Sequence, residues 1–196
     1  VGLLDLKILS NEKENSFSFF NNLVNKKFKF LYLLGSDNLE FKKDNEFIVY
    51  QGSHGDYGAE IADVILPSPA YTEQNGLYSN LEGRVQECKK ASYPIGDSLE
   101  DWKIFNLILK KLGKIDNLNS FETLRKEAIN SIANFSKIND LPKKLINKNN
   151  KKNSEFYSEE VLIKKLDYYY TNSISRASKT MRECRQITEK KPKTGT

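Results

Sequence analysis

Three short runs of apolar residues recur along the first third of the chain, and each is closed by a breaker. Leu31-Tyr32-Leu33-Leu34 stops at Gly35, Phe47-Ile48-Val49-Tyr50 at Gly52, and Val64-Ile65-Leu66 at Pro67. Continuous rather than alternating apolar residues predict strands covered on both faces, as in a parallel sheet with crossovers. Phe17, Phe20, Leu23 and Val24 fall on one helical face ahead of them and supply a first crossover. After Pro67 the pattern changes to short polar strands, with Leu77-Tyr78-Ser79 and Arg84-Val85-Gln86 predicted to pair across Leu81-Glu82-Gly83.

Helical periodicity takes over in the next stretch. Asp97 or Ser98 is placed to cap the free amides of a helix, Glu100 and Asp101 complement its positive end, and Gly113 sits where a left-handed residue ends it. Leu99, Trp102, Phe105, Ile108, Leu109 and Leu112 form its apolar stripe, with Trp102 the expected anchor. Ser120 caps a second helix carrying Phe121, Leu124, Ala128, Ile132 and Phe135, and Asn139 to Asn153 reads as a loop. The last segment, from Tyr168 to Ser178, leads into a helix on which Ala177, Met181 and Cys184 share a face. Tyr168, Tyr169 and Tyr170 in a row leave at least one ring facing outward, either as a contact surface for another chain or as a solvent-exposed tyrosine. The organisation expected is an α/β domain part over 1–136, a basic linker over 137–156 and a C-terminal extension over 157–196.

With 196 residues, 38% of them hydrophobic, the chain can bury one good core. No apolar run approaches the roughly 20 residues needed to span a bilayer. The sequence begins Val1-Gly2-Leu3 and its single methionine is Met181, so either a presequence has been removed or the chain is a piece of something longer. Nothing in residues 1 to 25 resembles a signal or transit peptide. Charge is uneven. Residues 1–136 carry 16 Lys/Arg against 19 Asp/Glu, net −3, whereas residues 137–196 carry 15 against 7, net +8. That asymmetry fits an anionic partner, but the basic run from Lys143 to Lys152 offers no aromatic to stack on a base and no arginine for bidentate contacts, so it reads as a solvated linker. Cys88 and Cys184 lie far apart without a CxxC, which excludes a disulfide framework and any zinc site or iron-sulfur cluster held by this chain alone, and points to a reducing compartment.

Candidate chemistry is sparse. The glycines of Gly52-Ser53-His54-Gly55-Asp56-Tyr57-Gly58 follow a strand, as a phosphate loop would, but they do not spell GxGxxG and no Gly-Lys-Ser/Thr follows. A structural strand-to-helix turn is the better reading. His54, the single histidine, lies beside Asp56 and could form an acid–base pair; the plainer expectation is a side chain bonded within its own turn. Glu60, Asp63, Glu73, Glu82 and Glu87 could supply paired carboxylates, with Arg84 the obvious partner of Glu73 or Glu82.

One set of residues resembles a known family. Val49-Tyr50-Gln51-Gly52, His54-Gly55-Asp56, Gly58-Ala59, Ala62-Asp63-Val64-Ile65-Leu66-Pro67, Ala70-Tyr71-Thr72-Glu73, Tyr78, Asn80, Glu82-Gly83-Arg84 and Asp101-Trp102-Lys103-Ile104 look like the C-terminal part of the large iron-sulfur subunit of NADH:quinone oxidoreductase, respiratory complex I. Tyr168 to Met181, including Thr171-Asn172-Ser173-Ile174-Ser175-Arg176-Ala177-Ser178, is similar to the tail of its mitochondrial and alphaproteobacterial forms, and Val1-Gly2-Leu3-Leu4-Asp5-Leu6 to the segment upstream.

The resemblance implies an α/β fold, a short parallel-sheet unit of the molybdopterin oxidoreductase type followed by a polar β-hairpin and C-terminal helices. In such folds Ala62 to Gln86 would approach a pterin dinucleotide, and the complex I branch is expected to keep the fold without the cofactor. It further implies a structural core-subunit portion of the peripheral arm of a proton-translocating NADH:ubiquinone oxidoreductase, on the matrix side of the mitochondrial inner membrane or the cytoplasmic face of a bacterial one. No catalytic, cofactor-binding or metal-binding residue is expected in the chain itself. Iron-sulfur clusters and FMN would lie elsewhere in the complex, and the partners would be other peripheral-arm subunits, including the cluster-binding N-terminal part of the large subunit. Neither nucleic-acid binding nor direct membrane insertion is expected. The alternative is a fragment of a cofactor-binding enzyme such as a formate dehydrogenase, with Gly55, Gly58, Asn80 and Arg84 facing a dinucleotide; a nucleic-acid-binding tail is a third reading, resting on the +8 terminal segment.

Overall fold

The three apolar runs form the three strands of one parallel sheet. In the computed structural model, which describes residues 2–6, 8, 22, 23, 25–36, 41–114, 118–141 and 167–190, β1 (Phe30–Leu34), β2 (Phe47–Gly52) and β3 (Val64–Pro67) lie in the order β1-β2-β3. The register pairs Phe30 with Phe47, Tyr32 with Val49, Val49 with Val64 and Gln51 with Leu66. Because side chains alternate across a strand, this register sends Leu31, Leu33, Ile48 and Tyr50 to one face and Phe30, Tyr32, Leu34, Phe47, Val49, Gln51 and Val64 to the other.

The first face is the core. Leu31, Leu33, Ile48 and Tyr50 are buried together with Leu23, and Phe28, Phe41, Ala59, Ile61 and Ala62 pack against them. Complete burial of side chains this size stabilises by roughly 1.5–3 kcal/mol each before entropy is subtracted. Leu23 thus sits where the predicted crossover needs it; Phe17, Phe20 and Val24 lie outside the described residues. A single-turn helix, α2 (Tyr57–Glu60; α1 is Gly2–Asp5), follows β2, capped by Asp56, whose carboxylate accepts from the Tyr57 amide. The second face is covered less completely than continuous apolar strands predict. Val49 and Gln51 are buried, but Phe30 and Phe47 are half exposed, and Val64 of β3, a strand that among the described residues has a neighbour on one side only, is 39% exposed.

The predicted hairpin is present. β4 (Gly76–Ser79) and β5 (Val85–Cys88) pair antiparallel, with Tyr78 opposite Gln86 and Ser79 opposite Val85. Helix α3 runs from Asp101 to Lys111, later than an Asp97 or Ser98 cap would start it. The reason is local: the Ser98 hydroxyl donates to the Ile95 carbonyl at 2.8 Å and the Leu99 amide to the Pro67 carbonyl, which ties the segment to the end of β3 and makes Glu100 the N-cap. Its buried residue is Ile104, outside the predicted stripe; Leu99, Phe105 and Leu112 of that stripe are exposed and Trp102 is partly so. Gly113 ends the helix at φ +72, with the Lys114 amide reaching back to the Leu109 carbonyl at 2.9 Å. Ser120 caps α4 (Phe121–Ser131) by accepting from the Thr123 amide. The backbone leaves the helix at Ile132, and a 3-10 turn over Ala133–Ser136 brings Phe135 into a buried position.

The chain divides into two compact units, Val1–Pro142 and Lys143–Thr196. Of the predicted loop and linker, 142–156 lie outside the described residues, as do 157–166 of the extension. The predicted last helix is two: α5 (Ser173–Ala177), capped by Asn172, and α6 (Lys179–Lys190), separated at Ser178, whose backbone is extended.

Candidate functional site

The crevice beyond the carboxyl ends of the strands is where open α/β sheets bind ligands. Here the glycine-rich turn after β2 occupies that position. Tyr50, 2% exposed, points its ring beneath the turn and its hydroxyl donates to the His54 carbonyl at 2.7 Å. A Cβ added to Gly58 would stand 2.8 Å from the Ser36 carbonyl oxygen and 3.0 Å from the Tyr50 ring, and one added to Gly52 would run into the same tyrosine. Two of the three glycines are therefore small because Tyr50 is large. Gly55 has only the Ala59 methyl near it, at 3.9 Å. His54 and Asp56 do not form a pair: the imidazole Nδ1 lies 2.9 Å from the Ser53 hydroxyl, while Asp56 caps α2.

Next to this turn lies a polar network that sequence reading missed. Gln51 is fully buried; its carbonyl accepts from the Tyr32 hydroxyl and its amide donates to Asp101 Oδ1 at 2.6 Å. The other Asp101 oxygen accepts from Gln74 Nε2 at 2.9 Å, and the Asp101 amide donates back to Gln74 Oε1. The network joins β1, β2, the segment before β4 and the first turn of α3. Burial, and then the Asp101 charge, raise the Tyr32 pKa. The available signal was a lone glutamine that continues an apolar strand, but its partner stands fifty positions away. Glu100 is a second buried acid, 5% exposed, which accepts from Trp102 Nε1 at 2.9 Å and pairs with Lys90 at 3.2 Å. Burial works against its charge, yet these bonds and Lys103 hold its pKa below the ordinary value.

The other candidate carboxylates are dispersed. Asp63 pairs with Lys43 at 2.6 Å and accepts from the Ile48 amide, contacts that lower its pKa. Glu73 accepts from the Ala70 amide rather than from Arg84. Arg84 stands 3.9 Å from Glu82 across a turn that Asn80 organises by accepting from the Glu82 and Arg84 amides, and Glu87 pairs with Arg125. A cavity of about 370 Å³ between the hairpin, α3 and α4 is lined by Tyr78, Trp102, Phe121, Phe135 and Arg125. In the second unit, Arg185 stacks 4.6 Å from the Tyr170 ring and bonds Asp167 at 2.7 Å, and Tyr169 bonds Thr188, whereas Tyr168 is 76% exposed. Both cysteines are free, and no group of three or more His, Cys, Asp or Glu among the described residues is arranged to hold a metal ion.

The family profile for molybdopterin oxidoreductase matches residues 3–111, more than half of the chain. The chain belongs to the molybdopterin oxidoreductase family. A second profile, for the C-terminal region of the G-type NADH-ubiquinone oxidoreductase subunit, matches residues 131–184. The NADH-ubiquinone oxidoreductase 75 kDa subunit of Reclinomonas americana is 42% identical over 190 residues, covering 95% of this chain and 27% of its own length. The 78 kDa mitochondrial subunit of Candida albicans is 41% identical over 182 residues (84% and 25%), and the G-type NADH-quinone oxidoreductase subunit of Rickettsia bellii is 42% identical over 163 residues (78% and 22%). The chain spans about a quarter of the length of these curated relatives.

For a molybdopterin oxidoreductase, the strand-end turn fits a pterin dinucleotide poorly. The pyrophosphate of such a group needs amides or cations aimed at it, yet the sequence from Asp44 to Gly83 contains no lysine or arginine, and the turn itself carries Asp56. The space at Gly52 and Gly58 is taken by Tyr50. Of the residues that a cofactor-binding reading would place on a dinucleotide, Gly58 packs on Tyr50, and Asn80 and Arg84 belong to the turn of the hairpin.

Proposed function

We propose that the chain is a structural portion of the large subunit in the peripheral arm of respiratory complex I, whose NADH-to-quinone electron transfer runs through centres held elsewhere. The observation that carries this reading is the match to the NADH-ubiquinone oxidoreductase subunits over nearly the whole chain, together with the match of residues 131–184 to the C-terminal profile. The Tyr50-filled turn supports its second half, that no cofactor is bound by these residues. On this reading the iron-sulfur clusters and FMN belong to other parts of the complex, and the partners are neighbouring peripheral-arm subunits together with the cluster-binding part of the same large subunit. The location is the matrix side of the inner membrane, or the cytoplasmic side in bacteria. Among the described residues no helix is long and apolar enough to cross a membrane, consistent with attachment through other subunits.

Native gels of respiratory membranes test this. The chain is expected to migrate with the band that carries NADH dehydrogenase activity; a chain found only outside that band overturns the proposal.

A further inference from the structure

Among the described residues the second face of the parallel sheet is covered unevenly. Over the carboxyl half of the strands lies α3: Phe105 packs 5.7 Å from Tyr32, Asp101 bonds Gln51, and Val49 and Gln51 are buried. At the amino ends of β1 and β2, Phe30 is 56% exposed and Phe47 49%; Val64, beside Val49 on the edge strand, is 39% exposed, and Leu34, at the carboxyl end of β1, 50%. The two phenylalanines stack on each other at 6.2 Å with their rings 13° apart. These are large apolar residues in a parallel sheet, the type of sheet that buries both faces under helices. Isolated exposed apolar residues need no explanation, whereas a stacked pair continued by Val64 on one face forms a patch.

We propose that this patch, Phe30, Phe47 and Val64, is the seat of an amphipathic helix supplied by the part of the longer subunit that precedes this chain. The inference rests on the functional reading above and names the surface through which the piece joins the rest. The occupant follows from the comparisons: the aligned segment is 27% of the Reclinomonas relative, and residues 131–184 match a profile for the C-terminal region of such subunits, so most of the relatives' remaining length lies upstream of the matched segment. Sheet-on-helix packing asks of that occupant an apolar stripe with residues repeating at three and four positions. A second copy of this chain, or another subunit, are the competing occupants.

The test uses the full-length subunit carrying this sequence, with the photoreactive amino acid benzoylphenylalanine in place of Phe47, and the same probe in place of Leu81, a 93% exposed residue at the hairpin turn, as reference. After irradiation and digestion, the probe at Phe47 is expected to join a peptide of the same subunit N-terminal to this chain, with an apolar stripe of helical period, at least about tenfold more than the probe at Leu81 does, as a buried contact should over a free one. Equal yields at the two sites, or joining to another subunit, to a second copy or to a segment within this chain, overturn the inference. Cross-linking is read on the subunit wherever it migrates, so it can fail while the subunit still runs in the NADH-active band, and that band can lack the subunit while the cross-link forms. Phe47→Asp gives an independent arm: the amount of subunit recovered in the assembled complex should fall roughly tenfold while Phe47→Leu retains it, and wild-type recovery of Phe47→Asp overturns the inference.

Discussion

The two ends of one sheet are built on opposite plans. At the carboxyl ends of the strands most features that would welcome a ligand are used internally: two of the three glycines accommodate Tyr50, Asp56 caps a helix, and Gln51 and Asp101 satisfy each other. At the amino ends, Phe30 and Phe47 stack on a face that the described residues leave half exposed. A molybdopterin oxidoreductase that bound its cofactor would need the reverse, an open polar crevice beyond the strands. The contrast supports the proposal that this piece meets polypeptide rather than a dinucleotide.

The largest effect should come from emptying the closed end. Tyr50→Ala removes a buried ring and should lower stability by about 3–5 kcal/mol, read as a drop in the urea or thermal midpoint of the subunit; an unchanged midpoint would mean that the ring does not fill the turn. Next comes overpacking. Gly58→Val must displace the Ser36 carbonyl or the Tyr50 ring and should cost about 1–3 kcal/mol, while Gly55→Ala, which meets only a methyl at 3.9 Å, should stay within about 0.5 kcal/mol. A phosphate-binding loop would instead make the two glycines comparable, through loss of bound cofactor.

A smaller, pH-dependent effect isolates Glu100. Its folded pKa is depressed by the bonds from Trp102 and Lys90, so its contribution is complete above the ordinary value of 4.5 and is lost as the pH falls through the folded value below it. Glu100→Gln should therefore lower stability at neutral pH by about 1.5–3 kcal/mol and flatten the acid limb of the stability curve below 4.5; an unchanged acid limb would remove Glu100 from that role. The smallest effect on folding belongs to the hairpin turn, where Leu81→Ser should shift the stability by no more than about 0.5 kcal/mol, because that side chain is 93% exposed.

Much of the fold was legible because its signals are local. Apolar runs ended by Gly35, Gly52 and Pro67 marked the strands, and Ser120 and Gly113 marked helix ends, since caps and breakers act over a few residues. The start of α3 was not legible, because Ser98 is held by Ile95 and Leu99 by Pro67, contacts set by the tertiary path. The same holds for the site. That His54 and Asp56 work separately within their turn was a reasonable expectation, but the links from Gln51 to Asp101 and Gln74 join segments that only folding brings together, and no periodicity marks a buried glutamine. The open sheet face was hidden for a related reason: a continuous apolar run says that both faces of a strand seek cover, not which residues provide it.

The most direct measurement is molybdenum and pterin analysis of the purified NADH-active complex containing this chain. The expected result is neither component at stoichiometric level, with redox centres assigned to other parts of the complex. One equivalent of pterin dinucleotide per complex, lost in the Gly58→Val variant while assembly persists, would contradict the proposal that these residues supply shape and docking surface alone.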